Sequence, residues 1–239
     1  MGTFPCKGKH FQQSGKNKMT NKTTVRIQKI ADYTQASLEE SYLKRSPKDK
    51  ANLNRYLAGV DYRWQHTLRV ANFGKVIAEN EGVDVESVVA ACLLHDLAWF
   101  DTNAENNRDH GRLGAEKARP FLESLDYSPR RIKNICYSIA SHVDEDNPKT
   151  LEAKIVSDAD DVDRFGPYRI LQWCYSDVKD YEKLALKLSE RIQRLEQYRE
   201  ENPLFTSTGR QLFAEQLNLQ LRFFSEFVGE KKLTIIPQI

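Results

Sequence analysis

Seven consecutive apolar residues, Val88 to Leu94, run directly into His95 and Asp96 within the stretch ESVVAACLLHDLAWFD. A helix with no polar face is buried on all sides. A carboxylate carried into such surroundings is costly unless something of opposite charge meets it. The chain therefore folds around this segment and must supply a partner for its two polar residues. A metal ion is the first candidate.

The periodicity elsewhere is helical. His66, Val70, Phe73 and Ile77 fall at i, i+4, i+7 and i+11, and Gly82 is the stop signal. The next helix starts near Asp84 and contains the opening stretch. HGRLGAEKARPFLESL and SPRRIKNICYSIASHV read as two more, the second with Ser128 as cap and Pro129 at its first position. PKTLEAKIVSDADDVDRFG gives another, ended at Gly166-Pro167, followed by a charged helix over roughly 177–200 and a last one within TGRQLFAEQLNLQLRFFSEFVGE. Strand-like alternation is confined to LTIIPQI at the C-terminus, and there is no internal repeat. The expected fold is all-α: a helical domain over 25–239, with its core motifs in 62–166 and C-terminal helices in 177–230, after a disordered tail at 1–24.

Charge supports that division. The 239 residues carry 36 basic and 34 acidic side chains, a net +2, yet residues 1–31 hold six lysines, one arginine and no acid. Such a polar, basic stretch reads as a solvated tail rather than a nucleic-acid arm. Cys6 stands where myristoylation needs Ser or Thr. No run approaches the ~18 apolar residues of a membrane span, and no signal-peptide core is present, so the expected location is cytoplasmic. The four cysteines form no C-x-x-C pair, against a disulfide framework or a cysteine zinc site. Cys92 reads as a small buried hydrophobe.

Four of the five histidines, His66, His95, His110 and His142, lie in the helical body, together with Asp96 and the acidic run SDADDVD. Imidazoles and carboxylates from different buried helices make a mixed nitrogen–oxygen ligand set, suited to Mn, Fe, Co, Ni or Zn, with Mg as a further candidate. Asp101, five residues past His95-Asp96, is a general acid or base candidate. Arg108 and Arg112 flank His110 with positive charge. Trp99 and Phe100 are either core or a stacking surface for a base.

His66, the adjacent His95-Asp96 and a distant Asp in DAD resemble the signature of the HD superfamily of metal-dependent phosphohydrolases. HTLRVANFGKVIAENEG, AACLLHDLAWF, KIVSDADDVDRFG and TSTGRQLFAEQ together resemble a bacterial branch of small HD hydrolases, over about 62–230. The resemblance implies metal ligands at His66, His95, Asp96 and Asp160. Periodicity instead turns Asp158 inward, with Leu151, Ile155, Val162 and Phe165. The D-x-D pattern of the family favours Asp160, leaving Asp158 either to orient a ligand histidine or to sit on the surface. His110 and His142 match positions where many HD proteins hold substrate or a second metal. The implied assignment is His110 and Asp101 as catalytic groups, and His142 and Arg112 as substrate-binding ones.

The implied activity is hydrolysis of a phosphate ester or phosphoanhydride, of a nucleotide or a related small molecule. The Glu-Asp pair that follows HD in alarmone hydrolases is replaced by Trp99-Phe100. Two other classes are a nucleotide-sensing module with little turnover and a di-iron oxygenase. The charged helix at 177–200 is a solvated helix with i, i+4 pairs, or a homodimer surface.

Overall fold

A computed structural model describes residues 21–48, 57–102, 108–143, 148–175 and 177–230. Among these, nine α-helices occur and no strand. They are α1 (Asn21–Arg45), α2 (Tyr62–Glu81), α3 (Val85–Leu94), α4 (Asp109–Ser124), α5 (Pro129–Ser141), α6 (Leu151–Asp163), α7 (Pro167–Tyr175), α8 (Tyr181–Glu201) and α9 (Ser207–Glu230). A π-helical turn, Leu57–Asp61, leads into α2. The all-α expectation holds. The strand candidate at 233–239 and most of the expected tail lie outside the described residues; α1 takes residues 21–24 of that stretch into a helix.

α3 is the axis of the molecule. Every residue from Glu86 to Leu94 is buried, packed by α1, α2, α5 and α6. Its start is set by Asp84, whose carboxylate accepts from the Ser87 N–H and so satisfies one of the unpaired amides of the first turn. Ser128 and Thr150 cap α5 and α6 in the same way, with Pro129 at the start of α5. A second apolar cluster joins α8 and α9 to the end of α6 through Val162, Phe165, Leu188, Phe213 and Phe224. Asn202, in a left-handed conformation, ends α8.

Two helices differ from the expectation. α1 leaves little trace in the sequence, because its mean hydropathy is low and only Ile30, Thr34, Leu38, Ser41 and Tyr42 are buried. α7 begins at Pro167, where the sequence suggests a stop; proline suits a first helical turn as well. No described helix is long and apolar enough to cross a membrane.

A candidate metal centre at the ends of four helices

His66 lies on the second turn of α2, His95 and Asp96 follow α3 directly, His142 caps α5, and Asp160 is on the third turn of α6. His110 stands at the start of α4. All six side chains are buried, none more than 7% exposed, and the structure brings them together. His66 Nε2 lies 3.2 Å from His95 Nε2 and 3.2 Å from Asp160 Oδ1. His110 Nε2 lies 3.1 Å from His142 Nε2.

Asp96 joins the two histidine pairs. Its Oδ2 is 3.2 Å from His95 Nε2 and 3.5 Å from His66 Nε2. Its Oδ1 is 3.2 Å from His110 Nε2 and 3.8 Å from His142 Nε2. Two groups of potential ligand atoms therefore share one carboxylate: His66, His95 and Asp96, and Asp96, His110 and His142.

The ring hydrogen-bonding decides what these nitrogens are for. His95 Nδ1 donates to the Cys92 carbonyl at 2.7 Å, and His142 Nδ1 donates to the Ile139 carbonyl at 2.6 Å. His66 Nδ1 meets Asp163 Oδ2 at 2.7 Å. With Nδ1–H engaged outward, a neutral imidazole turns an Nε2 lone pair inward. Two such lone pairs 3.2 Å apart repel unless a cation lies between them. Outward Nδ1–H bonds to carbonyls and carboxylates are also the usual support of metal-binding histidines. The residues fit a divalent ion.

Electrostatics agree. Burial opposes a charge on His66, but Asp160, Asp163 and Asp96 outweigh it and hold its pKa well above the ordinary value. Without an ion, the acids draw a proton onto the nitrogen a metal would use. Burial also works against Asp96 ionising, yet Arg63, His95, His110 and His142 hold its carboxyl well below the usual range. Burial leads on His142 and lowers its pKa, keeping it neutral.

The acidic run separates cleanly. Asp160 turns to the centre, with Arg164 Nη2 on its other oxygen at 2.9 Å. Asp158, two residues earlier, points to α9. It accepts from Phe205 N–H, Thr206 N–H and Thr206 Oγ1 at 2.9, 2.8 and 2.6 Å. It thus fastens α6 to the start of α9, where Gly209 leaves room; a Cβ there would fall 2.4 Å from Asp158 Oδ2. Asp158 is not the group that orients a ligand histidine. The acid that meets the His66 ring is Asp163, held by Arg69 through Oδ1 at 2.5 Å. Residues 155–160 of α6 are all buried, so apolar periodicity could not separate the two faces.

Two expected site residues are not among those that meet. Asp101 pairs with Lys117 Nζ at 2.5 Å, from a short 3-10 turn that directs it away to α4. Arg112 pairs with Glu116 one helical turn on, at 2.8 Å, with its side chain 58% exposed. Besides Arg164, the cation that enters is Arg63, whose Nη1 reaches Asp96 Oδ2 at 2.5 Å while its guanidinium lies 3.7 Å above the Trp99 ring. Trp99 also meets His110 edge-on, which gives it a packing role. Phe100 packs on Tyr42. Asp163 stands in the sequence only as one member of the acidic run, and Arg63 and Arg164 are passed over, although helix geometry marks them: Arg63 is three residues before His66, and Asp163 and Arg164 are three and four after Asp160.

Comparison with known proteins bears on the same stretch. The family profile described as HD domain matches residues 63–164, the segment from Arg63 to Arg164. Residues 63–164 of the chain therefore carry an HD domain. Two curated relatives are ribonuclease Y of Borrelia garinii, 32% identical over 103 residues, and ribonuclease Y of Thermosipho melanesiensis, 34% over 126. These alignments cover 43% and 52% of this chain but only 19% and 22% of the relatives, so the chain spans about a fifth of their length. Among solved structures, a predicted HD superfamily hydrolase from an uncultured Thermotogales bacterium superposes with a TM-score of 0.56 at 23% identity, over 84% of this chain and 92% of that one. Bacillus subtilis YpgQ in complex with ADP gives 0.59 at 20%, over 91% and 98%. At these identities the structures establish the shared fold.

Proposed function

We propose that this chain is a metal-dependent phosphohydrolase of the HD superfamily, cleaving a phosphate ester or phosphoanhydride of a nucleotide or related small molecule. The observation that carries the reading is Asp96, set between two pairs of histidines whose Nε2 atoms all turn inward. His66, His95, Asp96 and Asp160 would hold one ion, and Asp96, His110 and His142 a second. A divalent ion supplies acidified water and withdraws charge from phosphate oxygens.

The remaining steps fall to the protein. Arg63 and Arg164 each bond an aspartate oxygen at the centre, and both carry bidentate donors for phosphate. Trp99 holds Arg63 flat, which limits the rotamers lost when it engages substrate. If only the His66–His95–Asp96–Asp160 ion binds, His110 would be left free to donate, as an imidazolium, the proton a leaving group needs. The nearby arginines would stabilise charge growing on phosphate in the transition state. The ADP held by YpgQ and the ribonuclease activity named for the relatives are properties of those proteins; they support a nucleotide as the class to screen first.

The test is to purify the protein with Mn or Co and screen nucleotides and model esters for release of phosphate or pyrophosphate. Turnover by wild type and its loss in Asp96→Ala is the expected result. No turnover, or full activity in that variant, removes the reading. The Asp96–His110–His142 group also supports a second reading, di-iron oxygen chemistry; two irons per chain and substrate-dependent oxygen uptake would decide for it.

A further inference from the structure

A cavity of about 740 Å³ opens at the opposite end of the helices that bear the metal centre. It is lined by the three capping residues Asp84, Ser128 and Thr150, the starts of α3, α5 and α6. The same helices end at His95, at His142 and near Asp160. At ~1.5 Å per residue, 10 to 14 residues place this cavity roughly 15–20 Å from the centre. It is a separate place on the molecule.

Its chemistry is that of an anion receptor. Arg130, Lys133 and Lys149 line it, and no described acid pairs with any of them. Arg131 also lines it but is committed, through Nε and Nη2 to both oxygens of Asp84 at 2.7 and 2.6 Å. Glu152 is the other acid in the lining, which leaves three cations against one carboxylate. Three helix starts add partial positive charge in the same direction. Their caps already take one N–H each, so the side chains carry most of the effect.

Two polar groups point to more than phosphate. Tyr137 accepts the Lys149 N–H at 2.9 Å on its phenol oxygen, so its own hydrogen is left to donate into the cavity. Asn134 Oδ1 is enclosed without a hydrogen-bond partner, and a buried acceptor in that state calls for a donor. The volume suits a ligand of nucleotide size.

We infer that this cavity is a second binding site, for a nucleotide carrying two or more phosphates, distinct from the metal centre. Arg130, Lys133 and Lys149 hold the phosphates, Tyr137 donates to one of their oxygens, and Asn134 lies beside the sugar. The inference stands independently of the proposed reaction.

The experiment is calorimetric titration of the full chain, as Asp96→Ala and as wild type in EDTA, with inorganic pyrophosphate and then with ADP. The centre is disabled in both proteins, and if the variant fails to fold the EDTA sample still answers. One pyrophosphate per chain is expected, bound more weakly as salt rises from about 0.05 to about 0.5 M. Removing two charge-assisted contacts in Lys133→Glu with Lys149→Glu should weaken it at least about ten-fold. Both residues are exposed, so the fold should tolerate the change, and circular dichroism checks that. No binding at millimolar pyrophosphate, or equal binding by the double variant, overturns the site. ADP binding no more tightly than pyrophosphate overturns its nucleotide character.

Discussion

Helices α3, α5 and α6 hold charge differently at their two ends. At the start of α3, Glu86 is met by Arg26, Arg131 and Thr23 at 2.9, 3.0 and 3.0 Å, and Asp84 by Arg131. Both of these acids have a protein cation and are balanced without help. At the far end, Asp96, Asp160 and Asp163 surround imidazoles whose outward N–H groups are already spent. Arg63 and Arg164 offset part of that charge, and the remaining electron pairs face one another. The Asp84–Glu86 network is complete within the chain, whereas the second arrangement calls for a ligand. A stabilising ion-pair network and a ligand site are told apart by that difference more surely than by the count of charges in each.

Changes at the histidine end should therefore be felt in binding and turnover, and changes to the Asp84–Glu86 network in stability. The largest effect is expected for Asp96→Ala. It removes the one group shared by both histidine pairs, so metal content should fall towards zero and any hydrolytic rate by more than ~10³-fold, a loss above about 4 kcal/mol in the barrier. Elemental analysis beside the rate measures both. An Asp96→Ala protein that keeps its metal would erase the contrast between the two ends.

Gly111→Ala ranks next. A Cβ on Gly111 would lie 2.8 Å from the Ala140 carbonyl and 3.1 Å from that of Ile139, so α4 sits against α5 only because this residue has no side chain. The contact sets His110 beside His142. Forcing the helices apart should cost on the order of 2 kcal/mol in stability and, through displaced His110, roughly 10²-fold in turnover. Retained turnover with lost stability would separate His110 from the chemistry.

A smaller loss is expected for Asp163→Asn. The substitution weakens the support of the His66 ring while leaving the ligand atoms in place, and should reduce Mn affinity by ~10–100-fold. Titration of apo protein with Mn measures it. An unchanged affinity would return Asp163 to a purely structural pairing with Arg69.

The sequence made the helical architecture and the six meeting residues legible for a physical reason. Val88–Leu94 can only be buried, and a histidine placed on or beside a buried helix has few ways to be satisfied. What it hid follows the same logic. Asp158 and Asp160 are both enclosed, one by the loop before α9 and one by the histidines, and a one-dimensional pattern of apolar residues registers burial without saying which neighbour causes it. Asp101 looked chemical through its nearness to His95-Asp96, but a 3-10 turn of three residues is enough to send it to Lys117. Arg63 and Arg164 were hidden because an arginine on a helix reads as solvent-facing until its neighbour three or four residues away is known to be inside.

The mildest prediction concerns the capped end. Burial raises the pKa values of Asp84 and Glu86, but Arg131 and Ser87 for the first, and Arg26, Tyr127 and Thr23 for the second, outweigh it and leave both lowered. A carboxylate with a folded-state pKa below its unfolded value adds stability that is fully present above the unfolded value, near ~4. That stability is lost as pH falls through the lowered folded value. Arg131→Ala removes the cation shared by the two acids and should destabilise by about 1 kcal/mol at neutral pH, modest because the arginine is one-third exposed. The difference between wild type and variant should stay flat from neutral pH down to about 5. It should then shrink below about 4, as the wild type loses the same contribution by protonation. Urea melts across that range follow it. A difference that instead grows as the solution becomes acidic would mean that Asp84 and Glu86 are not held ionised by Arg131, and the two ends of the helices would no longer differ in the way their charges are met.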